Sequence, residues 1–360
     1  MSTSNNGQPV SDTAIVEPTD THPVAADDVD NRLAQIGEIL TDIAQRQRHL
    51  ESLINGQITS PQKLIESSSH FRRNVLPNDS AVTQKTLMIL WQASDAQIIT
   101  SSALSESGFR VFSQCDEDGI LLRIFAHIGT TNRMVVEIGN NCDGSDIGIP
   151  QNLSTNLIVN HGWHGVLFEI DPTECSRLTT FFARNPATAH FHCKINGKAS
   201  YFSPQIRCLE ITPENVEAAL ADATCEREPD LFILDIDGQD FRVAQALVET
   251  RPRVMVVEFE KLLRDKGSFV QPDNSEINKY FAQSGVVSLL AWVNLLGLRG
   301  YILCAIGGSG FNAFFVRKDV AESRFTPLTP KEAFDRHPIF SQAPDGFWKD
   351  IDETWEQFEI

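Results

Sequence analysis

A chain of 360 residues with a net charge of −18 has room for one large core plus accessories, or for two modest domains. The charge excludes a general grip on nucleic acid, which needs clustered Lys and Arg to displace phosphate counterions. No basic, apolar-cored leader is visible and no apolar run approaches ~18 residues, so a cytoplasmic chain without a membrane span is expected. The scattered cysteines form no CxxC pair and suggest reduced thiols rather than disulfides or a metal site.

Residues 1–28 are acidic, rich in Ser, Thr, Asn and Pro, and poor in large apolar groups, which predicts a disordered tail. From Val29 the pattern changes. Val29, Leu33, Ile36, Leu40, Ile43, Gln47, Leu50 and Ile54 follow the four-three spacing of a coiled-coil seam, with Gln47 as a register-fixing polar position. Residues 29–56 therefore read as a helix, either an oligomerisation seam or one packed on its own domain. Residues 57–108 read as a helical and loop linker, 109–320 as the main domain, and 321–360 as a C-terminal extension.

Within the main domain, Ile120, Leu121, Ile124, Phe125 and Ile128 form one helical face that stops at Gly129. Strands are expected at Met134–Ile138, Gly165–Ile170, Phe191–Ile195, Leu231–Leu234 and Val254–Phe259. Helices are expected over 154–162, 173–184, from Thr212-Pro213, and over 239–250. This alternation means a parallel sheet with helices on both faces. Tyr301–Ile306 and Phe311–Arg317, joined by a Gly-rich turn, read instead as an antiparallel hairpin.

Three of the strands end in acid: Glu137 before Gly139, Glu169 before Asp171, and Asp235 and Asp237 before Gly238. Carboxylates at the carboxyl ends of parallel strands lie where open α/β sheets bind ligands. The phrase Ile233-Leu-Asp235-Ile-Asp237-Gly238-Gln-Asp240, with Glu169 before Asp171-Pro172 and an acid-ended strand at Val254–Glu258, resembles the FkbM-type S-adenosylmethionine-dependent methyltransferases over about 109–318. The resemblance implies a Rossmann-like class I methyltransferase sheet ending in an antiparallel hairpin. It also implies O-methylation of a sugar, glycan or other small molecule.

On that reading Glu169 accepts hydrogen bonds from the cofactor ribose. Glu137, Gly139, Asn141, Asp143 and Gly144 surround its methionine end, and Asp235 lies nearby. The usual acid-x-Gly-x-Gly-x-Gly is replaced by Glu137-Ile-Gly139-Asn140-Asn141-Cys142-Asp143-Gly144, with Asn141 expected to take glycine's place at positive φ. Asp237, Asp240 and Glu258 are the candidate catalytic bases, although Asp240 also suits the first turn of a helix. His161 and His164 are expected at the surface, and Cys142 as a packing residue. Glu169→Ala and Gly139→Val are each expected to abolish cofactor binding in a folded chain. Two other readings use the same residues. A methyltransferase fold with an eroded loop could serve as a binding scaffold, with 139–153 collapsed into the crevice. Asp235 and Asp237 could instead belong to a metal-dependent phosphatase or glycosyltransferase.

Overall fold

The computed structural model describes residues 37, 41, 45, 76–94, 98–143, 148–184, 193–195, 198–200, 203–236, 238–270, 287–321, 324–348 and 356–357. The expected tail over 1–28, nearly all of the expected seam over 29–56, and Gly144 and Asp237 lie outside these residues.

In chain order the helices and strands are α1 (Leu76–Ser94), α2 (Ser101–Glu106), α3 (Glu117–Ile128), β1 (Met134–Ile138), α4 (Thr155–His161), β2 (His164–Glu169) and α5 (Pro172–Arg184). Then come β3 (Cys193–Ile195), β4 (Lys198–Ser200), β5 (Gln205–Cys208), α6 (Val216–Asp222), β6 (Leu231–Leu234), α7 (Asp240–Ala246), β7 (Val254–Glu258) and β8 (Phe269–Val270). The chain closes with α8 (Leu289–Leu298), β9 (Tyr301–Ile306), β10 (Asn312–Arg317), α9 (Lys318–Ala321), α10 (Pro330–Asp335) and β11 (Glu356–Gln357).

Seven strands form one sheet in the order β5-β2-β1-β6-β7-β10-β9. The ladders from β5 through β7 are parallel, whereas β10 runs antiparallel to both β7 and β9. Counted along this sheet alone, the order is 3-2-1-4-5-7-6 with the seventh strand reversed. The ordinary dinucleotide-binding order lacks that inserted strand. The sheet is that of a class I methyltransferase.

Both faces are covered, which is why the central strands read as unbroken apolar runs. On one face Val136, Phe232, Leu234 and Val257 pack with Trp292 of α8. On the other, Val135, Leu167, Ile233 and Val256 pack with Leu121 of α3 and Leu157 of α4. The edge of the sheet opposite the strands' carboxyl ends is held by buried Asp230, which accepts from the Thr131, Asn132 and Arg133 amides and pairs with Arg253 at 2.6 Å.

Three expectations need correction. The sheet's third strand is β5, not 191–195; Cys193–Ile195 pairs with Lys198–Ser200 in a separate two-stranded ribbon. The helix expected from Thr212-Pro213 starts later, because Asn215 Oδ1 first accepts the Thr212 amide and closes a turn. The helix expected to reach Thr250 stops at Ala246, where the Arg299 guanidinium donates to the carbonyls of Ala244, Gln245 and Leu247.

Candidate active site

A cleft of about 600 Å³ lies over the carboxyl ends of β2, β1, β6 and β7, within the size range of a small-molecule site. Its charge is one-sided. Glu137, Glu169, Asp171, Glu174, Glu210, Asp235 and Glu258 line it, and among the described residues no Lys, Arg or His does.

Glu169 closes β2 with both oxygens anchored. Oε2 accepts the Asn140 amide and Oε1 the Asp171 amide, each at 2.8 Å. A carboxylate oxygen takes two hydrogen bonds, so each retains accepting capacity. Asp171 is exposed and accepts the Thr173 amide at 2.6 Å, which holds its carboxyl below the usual range and caps the start of α5. The capping role and the cleft role thus fall on different residues.

Gly139 follows β1 at φ 86°, and a Cβ there would stand 1.5 Å from the Asp235 carbonyl oxygen. This close approach of the β1 and β6 ends requires glycine. Glu137, two residues earlier in β1, is fully buried. Its carboxylate accepts the Leu153 amide at 2.9 Å and the Ser154 amide at 3.1 Å, binding β1 to the loop that leads into α4. Burial, against those hydrogen bonds, pushes its carboxyl up to about 7.

The loop after Gly139 is organised by asparagines rather than glycines. Asn140 is buried; its Nδ2 donates to the Phe168 carbonyl at 2.9 Å, and its Oδ1 accepts from Asn152 Nδ2 at 2.7 Å. Asn141 is exposed, accepts the Gln151 amide through its carbonyl, and does not adopt positive φ, so it is no glycine substitute. Asp143 does not line the cleft; its carboxylate accepts the Ile149 amide at 2.9 Å. Cys142 is half-buried, and burial together with Glu174 pushes its thiol up to about 12. Residues 140, 141 and 151–153 line the cleft rather than fill it, so the collapse expected of a scaffold is not seen there.

Asp235 stands half-buried on the cleft wall, its amide donating to the Ile138 carbonyl at 3.0 Å. Asp240 does not reach the cleft. Fully buried, it accepts the Ile236 and Gly238 amides at 2.8 and 3.0 Å and so clamps the turn entering α7. Burial raises its carboxyl. Its role as a base is therefore withdrawn in favour of the helix-turn role that its position also allowed.

Glu258 ends β7 at the far side of the cleft, and Trp292 Nε1 fixes its carbonyl at 2.7 Å. Its register partner on β10 is Asn312, which places the two side chains side by side. Asn312 is 5 % exposed; its Nδ2 donates to buried Glu117 at 3.1 Å, leaving Oδ1 buried without a hydrogen-bond partner. Asn140 and Asn152 on the cleft wall, and Glu117 behind Asn312, are neighbours that sequence reasoning missed. No local signal marked them, since the bonds that hold them there, Asn140 to Phe168 and Asn152, and Glu117 to Asn312, join separate segments. His161, expected at the surface, is buried with Nε2 2.8 Å from Gln84 Oε1, and burial drives its pKa down to about 3.

No protein-family model matches the chain, and no curated protein matches it. Among solved structures it is similar to an O-methyltransferase from Bacillus cereus in complex with SAH, at 16% identity and a TM-score of 0.31, over 68% of this chain and 93% of that one. It is also similar to an O-methyltransferase from a trans-AT PKS multienzyme of Brevibacillus brevis in complex with S-adenosyl-L-homocysteine. There the identity is 9% and the TM-score 0.28, over 59% of this chain and 57% of that one. At this degree of similarity the fold assignment rests on the strand order alone, and nothing singles out the FkbM-type group.

Proposed function

We propose that the chain is an S-adenosylmethionine-dependent methyltransferase acting on a hydroxyl of a sugar or other small molecule. One observation carries this reading: among the described residues, the cleft of a 3-2-1-4-5-7-6 sheet is lined by seven acidic side chains and no basic one. Phosphate-bearing cofactors need donors and positive charge at such a site; a ligand with an ammonium and a sulfonium needs the opposite.

The residues present fit that cofactor. Glu169 would receive the ribose hydroxyls, and Gly139, Asp235 and the β1 loop would hold the methionine end. When bound, the cofactor supplies an electrophilic methyl on sulfur. Glu258 is the base that takes the acceptor hydroxyl's proton, and Asn312, its register partner anchored by Glu117, packs beside it and holds it in place. The test is calorimetric titration with S-adenosylhomocysteine. Micromolar binding that is lost in Glu169→Ala supports the reading. No binding at millimolar ligand would return the chain to the scaffold alternative.

A further inference from the structure

Two thiols meet at the rim of the cleft, outside the groups used above. Cys175 lies in the first turns of α5 and is buried, while Cys208 ends β5 and is the exposed one among the described cysteines. Cys175 Sγ donates to the Glu169 carbonyl at 3.4 Å and Cys208 Sγ to the Ile170 carbonyl at 3.7 Å. The two sulfurs thus sit against the carbonyls of consecutive residues, 169 and 170, which brings the thiols into each other's neighbourhood. Cys208 is in addition the register partner of Glu169 across the β2–β5 ladder. An exposed thiol beside a sheltered one, on two separate elements, is the arrangement in which an oxidised cysteine finds a resolving partner.

We propose that Cys175 and Cys208 form an oxidation site, closed to a disulfide by hydrogen peroxide, that governs the cleft beside it. The Cys208 thiol gives up its proton and the thiolate attacks one peroxide oxygen; the O–O bond breaks, the leaving hydroxide takes up that proton as water, and Cys208 becomes a sulfenic acid. The Cys175 sulfur then attacks the Cys208 sulfur. The S–S bond forms, the S–O bond breaks, and the hydroxyl leaves as a second water carrying the Cys175 proton. Two thiols lose two electrons in all, and one peroxide becomes two waters. Cys208 is exposed and meets the oxidant first, while Cys175 is sheltered in the fold.

The coupling to the cleft follows from position. Cys175 directly follows Glu174, and Cys208 directly precedes Leu209, Glu210 and Ile211, all of which line the cleft. Disulfide formation removes the Cys175 hydrogen bond to the Glu169 carbonyl and draws α5 toward β5. The cleft-lining stretches 169–171 and 209–211 must move with them.

The experiment is peptide mapping of the full chain without reduction, before and after hydrogen peroxide, followed by titration of both samples with S-adenosylhomocysteine. A Cys175–Cys208 linked peptide is expected, reversed by dithiothreitol and absent in Cys208→Ser, an exposed substitution that spares the core. Cys208 recovered as sulfinic acid beside a free Cys175, or Cys175 joined to another cysteine, would overturn the site. Affinity is expected to fall at least fivefold in the oxidised chain, recover on reduction, and stay constant in peroxide-treated Cys208→Ser. Unaltered affinity in a linked chain would overturn the coupling. The titration arm rests on the cofactor reading above. If the reduced chain binds no S-adenosylhomocysteine, that reading fails and the coupling falls with it, while the peptide map still decides the site.

Discussion

The Asn140 amide donates to Glu169 Oε2 at 2.8 Å and, with the Asn140 Nδ2 bond to the Phe168 carbonyl, ties the residue that follows β1 to the end of β2. With the Asp171 amide on Oε1, it holds the carboxylate before any ligand arrives. Such a group loses little rotamer freedom on binding, so hydrogen bonds to it count nearly in full. Glu169→Ala is expected to weaken S-adenosylhomocysteine binding by about 100-fold, the equivalent of two hydrogen bonds to a charged acceptor. Calorimetry measures the loss, and circular dichroism should show the fold intact. Unchanged affinity would place the ribose elsewhere.

Gly139 changes one expectation drawn from the sequence. The substitution to valine was to leave the chain folded, yet even an alanine Cβ would overlap the Asp235 carbonyl at 1.5 Å, and at φ 86°. The β1–β6 ladder must part for the side chain to fit. Gly139→Ala is therefore expected to destabilise the fold by about 3 kcal/mol or more. Urea denaturation reads this directly, and wild-type stability would contradict the strand-end contact.

Glu137 predicts a pH dependence whose sign is opposite to that of a salt-bridged carboxylate. Burial lifts its carboxyl from 4.5 to about 7, so in this window the native chain holds a proton that the unfolded chain has released. Stability due to this group is full below pH 4.5, falls as pH rises toward 7, and levels off above it. The total is roughly 2–4 kcal/mol. Glu137→Gln should remove the decline and leave a constant offset where its amide meets the Leu153 and Ser154 N–H groups. Denaturation of both proteins from pH 4 to pH 8 tests this; parallel profiles would mean that Glu137 ionises normally.

What was legible in the chain was whatever lay within one element. β1, β6 and β7 are buried on both faces and announce themselves as apolar runs, each followed or ended by an acid. β5 did not, because Gln205-Ile206-Arg207-Cys208 is an edge strand, half-exposed along its length and without an apolar period. Asp240 illustrates a second limit. A carboxylate two residues past a glycine turn has the same local sequence whether it faces substrate or closes its own turn, and the Ile236 and Gly238 amides decide it. Asn312 and Glu117 show a third. They are 195 residues apart and meet only because β10 inserts beside β7.

The sign of the cleft's charge yields a last expectation. Glu169, Asp235 and Glu258 are half-buried or buried, where charges are screened less than at an open surface. A sulfonium among such carboxylates gains Coulomb energy that the neutral sulfur of the demethylated product does not. S-adenosylmethionine should bind about 3–10-fold more tightly than S-adenosylhomocysteine, a difference of roughly 1 kcal/mol. Raising salt should narrow the gap only slightly, and NADH or ATP should not compete at millimolar concentration. Competition titrations at low and high ionic strength measure all three. Tighter binding of the neutral product, or displacement by ATP, would show that the carboxylates do not set the ligand's charge.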